Sequence, residues 1–330
     1  MKNKRLIAVL AAIVVIIAGT LAYQSVSRGS KNQGTKTVKV GVLQYVTHEA
    51  LDEIYRGIKD GLKKEGYSGD KIKIEFLNAE GDQSKVQTMS QTLVSHKNQL
   101  LIGIATPAAQ GLASATKDIP IVMGAVTDPV GAKLVKDLKN PGGNITGVSD
   151  KTPIADQIDL IKELTPDVKT VGLLYSSSED NSKSQVEEFK KLAEKKGYKV
   201  ETYAVPSTNE IATTMNVLLS KVDAVWTPLD NTIASAFPTV VAAAKDANKP
   251  IYPSVDTMVS EGGLASVVVD QYDLGVATGK MAAKILKGEK AGDIPVQVFD
   301  EGTPVINKTV AQELGVTIPA DLAKKAKSVN

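Results

Sequence analysis

The 330-residue sequence contains no cysteine, two histidines and one tryptophan. Without thiols, a disulfide scaffold, a cysteine nucleophile and thiolate ligands for zinc or iron are excluded. Haem ligation, a metal site or a Ser-His-Asp triad would have to rest on His48 or His96. The composition therefore disfavours these classes of enzyme, and we expect neither a metal nor another cofactor.

Phosphate-binding motifs are missing as well. The sequence has no G-x-x-x-x-G-K-[ST] segment, no G-x-G-x-x-G segment after a predicted first strand, and no nucleophile elbow. Six of the 39 basic residues and none of the acidic ones lie before position 37, which leaves 33 basic and 37 acidic residues from position 37 onward. This slightly acidic body offers no electrostatic surface for nucleic acid, so we expect no nucleic-acid partner.

The amino terminus has the pattern of an export segment. A basic patch at residues 2–5 precedes 18 uncharged residues, 6–23, and then a polar stretch, 24–36, that predicts a flexible tether. As a helix the uncharged run would span about 27 Å, near the lower limit for crossing a bilayer. An uncleaved anchor and a cleaved signal peptide both remain open. In either case the positive end stays inside, and the body is expected outside the cytoplasm.

The body of the chain carries the same pattern twice. The segment VKVGVLQY at 38–45 is similar to VKTVGLLY at 168–175, and each is followed by an amphipathic helix that ends in Gly-Tyr. Short strands rich in Val and Ile alternate with helices in both halves, which is typical of parallel sheets covered by helices. The sequence therefore predicts an α/β protein with two doubly wound, Rossmann-like parallel-sheet domains.

The expected elements follow from this alternation. The predicted strands are 38–45, 72–77, 100–105, 119–125, 168–175, 200–205, 224–227, 250–254 and 265–269. The best-defined helices are 51–67, 85–95, 185–198 and 210–220. Parallel sheets expose a crevice at the carboxyl ends of their strands, and clefts between α/β domains are preferred small-molecule sites. We expect a ligand between the two domains; the alternative is a duplicated domain without a ligand.

The third strand of the first half ends at a candidate anion site. Thr106 suits a helix cap and the proline after it suits the first helical turn, so the N–H groups of Ala108 and Ala109 would point outward. An ordinary helix cap is the alternative.

Other strand ends contribute polar candidates from both halves. They are Gln44, Tyr45, His48, Thr127, Asp128, Ser177, Ser178, Asn181, Asp230, Asn231, Ser254 and Asp270. The aspartates are candidates for one ammonium group, although each equally suits a helix cap or a turn. His48 and Tyr45 are candidates to stack on a flat ligand, and the pair His48-Glu49 lacks the second histidine of a zinc protease helix. Residues 147–150 are interpreted as a crossover or hinge.

Several segments resemble one known family, the extracytoplasmic solute-binding proteins of ABC importers, which have the type I periplasmic binding fold. The segments are IATPAAQ at 104–110, VTDPVG at 126–131, PGGNITG at 141–147 and EDNS at 179–182. They are similar to the branch of the family that includes the streptococcal tryptophan-binding proteins. The resemblance covers essentially all of residues 37–330.

The resemblance implies an organisation and a set of partners. Two lobes joined by a three-strand hinge would comprise residues 37–149 with 271–300 and residues 150–270 with 301–330, after a signal or anchor and tether at 1–36. A membrane permease and its ATPase would be the partners of a monomeric binding protein on the extracytoplasmic face of the cell membrane.

The resemblance also implies the ligand, an amino acid, with tryptophan or another aromatic or apolar one expected. Its carboxylate would meet Thr106, the start of that helix and one of the two loop serines, its ammonium would meet Asp230 or Asp128, and its side chain would stack on Tyr45. The protein would deliver this ligand without transforming it. Two alternatives from other classes stay open: an enzyme that uses the same cleft, with His48 or an aspartate as base, and a membrane-tethered ligand sensor.

Overall fold

The computed structural model describes residues 37–329, which form two parallel sheets, a small third sheet and the helices that pack on them. The strands are β1 (Val38–Gln44), β2 (Ile72–Asn78), β3 (Leu100–Ile104), β4 (Ile121–Gly124), β5 (Ile145–Ser149), β6 (Thr170–Ser176), β7 (Lys199–Val205), β8 (Ala224–Trp226), β9 (Ile251–Tyr252), β10 (Ala265–Val268), β11 (Gln297–Val298), β12 (Thr303–Asn307) and β13 (Lys327–Val329).

Helices connect these strands, and three short 3-10 turns accompany them. The helices are α1 (Glu49–Lys64), α2 (Gln83–Ser95), α3 (Thr106–Ala115), α4 (Ile154–Leu164), α5 (Asp180–Lys195), α6 (Ile211–Leu219), α7 (Asn231–Ser235), α8 (Phe237–Asp246), α9 (Asp256–Ser260), α10 (Gln271–Leu286), α11 (Lys308–Glu313) and α12 (Ala320–Lys325).

The two large sheets repeat one strand order. The first runs β2-β1-β3-β4-β5-β11 and the second runs β7-β6-β8-β9, so each half places its first strand between its second and third. All neighbours in these two sheets are parallel, with Val40 of β1 opposite Ile74 and Leu100, and Val171 of β6 opposite Val200 and Ala224. The central strands are buried along their whole length, as expected for parallel strands covered on both faces. The predicted doubly wound α/β class is confirmed.

The carboxy-terminal third of the chain returns to both sheets. Strand β10 pairs antiparallel with β12, which pairs with β13, and this small sheet lies beside β9. Between β10 and β12 the chain goes back to the first sheet, where α10 packs on α1 and β11 pairs with β5. The chain therefore passes between the large sheets three times, after β5, β10 and β11.

Helices α1 and α10 touch through glycines. A methyl group added at Gly57 of α1 would lie 2.2 Å from the carbonyl oxygen of Tyr272, and one added at Gly275 of α10 would lie 2.1 Å from that of Ile54. Only residues without a side chain permit this approach of two backbones. The contact holds the returning segment against the first half of the chain.

The single tryptophan belongs to the core of the second half. Trp226 is fully buried and stacks on Phe189, with ring centroids 4.3 Å apart, and its indole N–H donates to Gln157 Oε1 at 2.9 Å. Burial of two aromatic rings and a satisfied N–H make this pair a structural anchor between β8 and α5.

The largest error in a predicted boundary is at the start of α5, and one region lies outside the described residues. Helix α5 begins at Asp180, five residues before the predicted start, because its first turn is polar and carries none of the apolar spacing on which the prediction rested. Residues 1–36, where the export segment and tether are expected, lie outside the described residues. Among the helices within 37–329, none is both long and apolar enough to cross a bilayer.

Replacing Gly275 by alanine should destabilise the protein by about 2 to 3 kcal/mol, because the new methyl group would force α10 away from α1. Gly124→Ala is the matched control, since its methyl group would meet Thr278 at an ordinary 3.4 Å. Urea unfolding followed by circular dichroism measures both free energies. Equal stability of the two variants would contradict the tight contact.

Candidate functional site

A cavity lies where the carboxyl ends of the strands of both large sheets meet. Residues that follow β1, β3, β4 and β5 form one side of its wall, and residues that follow β6, β8 and β9 form the other. The cavity volume is about 30 Å³, room for about two water molecules, within about 430 Å³ of atom-free space that includes the opening to solvent. The two halves therefore enclose a narrow space in this structure, smaller than a typical small-molecule site.

One part of the wall is apolar. Its members come from α1 of the first half and from the β8 and β9 connections of the second: Ala50, Leu51, Leu229, Ala234, Val255 and Met258. None of the aromatic side chains of residues 37–329 contributes to the wall. The aliphatic groups and the thioether can pack on a flat ring from both sides, since sulfur contacts with aromatic rings are favourable.

The start of α3 presents backbone N–H groups. Ala105 precedes the helix with φ 74° and ψ 158°, a conformation that is strained for any residue except glycine. The N–H of Ala109 donates to the Ala105 carbonyl at 3.1 Å, so of the two N–H groups expected to point outward only that of Ala108 lacks an acceptor within residues 37–329. Thr106 begins the helix without a side-chain cap. The helix start is therefore a place for an anion.

Asp150, directly after β5, is a buried carboxyl group on the cavity wall with only 5% of its surface exposed. The Thr127 hydroxyl donates to this carboxyl, while its Oδ1 has no hydrogen-bond partner among the described residues. Burial raises the pKa of Asp150 to about 7, and the hydrogen bond from Thr127 opposes the shift only in part. The group can accept a hydrogen bond from an occupant of the cavity.

Glu179 is fully buried just before α5 and is satisfied by the protein itself. Its Oε1 accepts from the N–H and the hydroxyl of Thr232, both at 2.8 Å, and its Oε2 accepts from the N–H of Asn231 at 3.3 Å. The negative charge therefore sits at the start of α7 and faces N–H dipoles instead of a cation.

Asp230 lies beside Glu179 and caps the same helix. Its Oδ1 accepts from the N–H of Ile233 at 2.8 Å and its Oδ2 from the N–H of Ser176 at 2.5 Å. Burial raises the pKa of Asp230, and the neighbouring Glu179 charge raises it further. Both oxygens are engaged in joining the end of β6 to the start of α7.

Two hydrogen bonds cross the cavity between the halves. Asn231 Nδ2 donates to Glu179, which turns Asn231 Oδ1 toward His48 Nε2 at 3.2 Å, so the imidazole donates from Nε2. Burial lowers the pKa of His48, and the hydrogen bond to Asn231 opposes the shift. Beside the cavity, Gln110 Nε2 donates to Asp180 Oδ2 at 3.1 Å.

The structure brings six of the predicted site residues together on the cavity wall. They are His48, Thr106, Thr127, Asn181, Asp230 and Asn231. Three belong to the first half of the chain and three to the second, so polar groups converge from both halves.

Two residues near the end of β1 lie behind the wall. Tyr45 is 1% exposed and its hydroxyl donates to the Gly81 carbonyl at 3.1 Å, so its ring is not available to stack on an occupant. Gln44 is also buried and donates to Asp52 Oδ1 at 2.8 Å, which holds the start of α1. Packing and hydrogen bonds at the end of β1 hold both side chains in place.

The other predicted residues also lie off the wall: Ala108, Asp128, Ser177, Ser178, Ser254 and Asp270. Asp128 Oδ1 accepts from the N–H of Gly131 at 2.8 Å in a turn, and the Ser254 hydroxyl donates to the Thr227 carbonyl at 2.7 Å. Asp270 is exposed and caps α10. Ser177 and Ser178 are exposed, and Ala108 lies within the first turn of α3.

Sequence reasoning missed Asp150, Gln271 and the apolar wall. Asp150 follows a strand of the first sheet as Thr106 and Thr127 do, and the same rule of strand ends would have found it, but residues 147–150 were interpreted as a hinge. The apolar members carry no signal in the sequence, because core and cavity residues have the same composition. Within residues 37–329, no group of three or more His, Asp or Glu side chains is arranged to hold a metal ion.

Comparisons with known proteins agree on one family. A family model described as "ABC transporter substrate binding protein" matches residues 39–330. A protein of Clostridioides difficile named "Tyrosine-binding protein" is 38% identical over 328 residues, which cover 95% of each chain.

Two solved structures are similar along almost their whole length. A Streptococcus pneumoniae structure, described as an ABC domain in complex with L-Trp, is 65% identical with a TM-score of 0.88, and the match covers 89% of this chain and 100% of that one. A ligand-free, open structure of a substrate-binding protein with adhesive properties from Clostridium difficile is 37% identical with a TM-score of 0.68, covering 89% of this chain and 99% of that one.

Asp150→Asn should stabilise the ligand-free protein at pH 8. Because the folded pKa of Asp150 lies above the ordinary value, its favourable contribution to stability is complete below about pH 4 and is lost as the pH rises to about 7. The amide removes this loss, so the Tm at pH 8 should rise by several degrees while the Tm at pH 4 should not. Thermal unfolding at both pH values measures the difference.

Asp223→Asn is the control for this experiment. Asp223 accepts the N–H groups of Lys169 and Thr170 at 2.9 and 2.8 Å, and these bonds hold its pKa below the ordinary value despite partial burial. Its amide variant should lose stability at pH 8. A fall in Tm for Asp150→Asn as well would contradict an uncompensated charge at Asp150.

Proposed function

Because the chain belongs to the family of ABC transporter substrate-binding proteins, we propose that it captures an aromatic amino acid in the cavity between its two large sheets. Tryptophan is the first candidate and tyrosine the second. The ligand passes unchanged to a membrane permease that is driven by its own ATPase. The observation that carries the proposal is one cavity whose wall combines a buried carboxyl group, the start of helix α3 and an apolar part.

The carboxylate end of the amino acid fits the start of α3. The positive end of the helix favours a negative group, and Ala105 and Thr106 at the start of the helix lie on the wall. No Lys or Arg side chain of residues 37–329 lines the cavity, so backbone dipoles take the place of a cation there.

The side chain fits the apolar wall. Ala50 and Leu51 approach from the first half and Val255 and Met258 from the second, so a flat ring lies between the two halves. Two relatives support an aromatic ring in the ligand. The pneumococcal structure holds L-Trp, and the Clostridioides difficile protein is called tyrosine-binding.

Closure of two lobes completes the site. We take residues 37–149 with 271–300 as one lobe and 150–270 with 301–330 as the other, joined by the three passages of the chain. The TM-score of 0.88 to the L-Trp complex against 0.68 to the ligand-free open structure supports a closed form here and an open form without ligand. Ligand contacts from both lobes would shift the population toward closure.

Substrate-binding proteins of ABC importers act outside the cytoplasm, and this chain is proposed to act there as a monomer. The export segment expected at residues 6–23 would either tether the protein to the membrane or be removed after export. The closed form would be the one that the permease recognises.

Calorimetric titration of the purified protein should show saturable 1:1 binding of L-tryptophan or L-tyrosine and no binding of glucose or myo-inositol. Ala234→Leu should weaken this binding because the added atoms take up space on the apolar wall. Ser235→Leu, at the exposed next position of the same helix, is the matched control. A sugar or nucleoside that binds tightly while no amino acid binds would overturn the proposal.

His48→Ala should weaken amino-acid binding about threefold to tenfold, because the closed form loses one hydrogen bond between the lobes. Asn231→Ala and the double variant complete a cycle in which the double variant should lose little more than the worse single variant. His96→Ala, an exposed histidine paired with Glu75, is the control. Fully additive losses would show that His48 and Asn231 act independently.

A further inference from the structure

Two buried oxygen atoms on the cavity wall have no hydrogen-bond partner within residues 37–329. They are Asp150 Oδ1 and Asn181 Oδ1, on residues that are 5% and 4% exposed. The three other unpartnered buried side-chain atoms of the described residues belong to residues off this wall: Gln44, Ser90 and Thr227. Buried polar groups are normally paired, so two open acceptors on one cavity indicate an occupant that donates.

The orientation of the Asn181 amide follows from its neighbours. Its Nδ2 donates to the Leu229 carbonyl at 2.8 Å and lies 3.4 Å from Glu179 Oε2, both of which are acceptors. The amide oxygen is therefore the atom that is left open. Asp150 comes from the first half of the chain and Asn181 from the second, so an occupant that donates to both would join the two halves.

The other candidate carboxylates are already engaged. Asp230 receives an N–H donor on each oxygen, and it shares its surroundings with the Glu179 charge. Asp128 receives the N–H of Gly131 in a different groove, and Asp270 is exposed at the start of α10. Of Asp128, Asp150, Asp230 and Asp270, only Asp150 is buried on the cavity wall with a carboxylate oxygen that lacks a hydrogen-bond partner within residues 37–329.

We propose that Asp150 and Asn181 together form the acceptor for the α-ammonium group of the ligand, which makes Asp150 the residue that selects free amino acids. This inference rests on the proposed function and deepens it. A ligand whose nitrogen is acylated has one N–H and no charge, and a ligand without the nitrogen leaves both oxygens unpaired. Both classes should be rejected, because leaving a buried acceptor unpaired is costly.

The charges around the cavity favour a cationic donor. The titratable groups on its wall are His48, Asp150 and Asp230, and Glu179 lies behind Asp230. Lys151, the next residue along the chain, is exposed and lines another groove. Burial raises the pKa of Asp150 because it removes water from the charged carboxylate, and a ligand ammonium would supply a charge partner.

The test is a double-mutant cycle that combines a change at Asp150 with removal of the amino group from the ligand. The wild-type protein and Asp150→Asn are each titrated with L-tryptophan and with indole-3-propionate, which is the same molecule without the amino group. The variant should bind L-tryptophan about 10- to 100-fold more weakly, as expected for loss of a charged hydrogen bond, and indole-3-propionate no more weakly than wild type. L-tyrosine and 3-(4-hydroxyphenyl)propionate form a parallel pair. If either propionate binds too weakly for direct titration, its affinity is measured by its displacement of the bound amino acid.

Two further variants make the result specific. Asn181→Ala should also weaken the binding of L-tryptophan more than the binding of indole-3-propionate. Asp128→Asn, in the other groove, should leave both affinities unchanged. Thermal unfolding of each variant without ligand shows that it is folded, and Asp150→Asn is expected to be at least as stable as wild type at pH 8.

Each outcome has one meaning. If wild type binds neither amino acid, the proposed function fails. If wild type binds L-tryptophan or L-tyrosine and Asp150→Asn binds it equally well, the function stands and the assignment of Asp150 is overturned. Equal weakening of the amino acid and the acid would also overturn it, because Asp150 would then shape the cavity without meeting the ammonium.

Discussion

Three buried acidic groups lie around one cavity, and no Lys or Arg side chain of the described part of the chain, residues 37–329, lies on its wall. This arrangement sets the constraint on which the structure depends. A buried carboxylate destabilises the folded state unless hydrogen-bond donors surround it. Glu179 and Asp230 receive theirs from backbone N–H groups at the start of α7 and the end of β6. Asp150 interacts with the Thr127 hydroxyl, and its Oδ1 has no hydrogen-bond partner within residues 37–329. The protein itself satisfies the first two groups, and the third is the one that we propose for the ligand.

The repeated architecture makes this arrangement possible. In both halves the chain leaves a buried parallel strand and enters a helix at the same edge of a sheet, so helix starts and polar connections collect there. The glycine contact between α1 and α10 then fixes the returning segment to the first half, although that segment follows most of the second half in the chain. A site between two halves therefore depends on packing that lies outside the site.

The sequence was sufficient for the fold and for six of the sixteen residues on the cavity wall, and the reason differs by residue. Strand positions and the repeat follow from periodic apolar residues, which are local. Whether Tyr45 faces the cavity or the core depends on the last turn of the backbone after β1, and the structure turns it inward to Gly81. Asp230 and Asp150 have the same local signal, an acid after a strand, and only the count of donors around each one separates them.

The contact between His48 and Asn231 connects the buried acids with closure. Glu179 fixes the side chain of Asn231, and Asn231 offers its oxygen to His48 on the other half. Glu179, which lies in the second half, thus orients the amide group that His48 of the first half contacts. Since Asn181 packs against the same Glu179, the group that orients this contact also orients one of the open oxygens of the cavity. Under the proposed function, ligand capture and lobe closure would share one set of hydrogen bonds, so neither would be complete without the other.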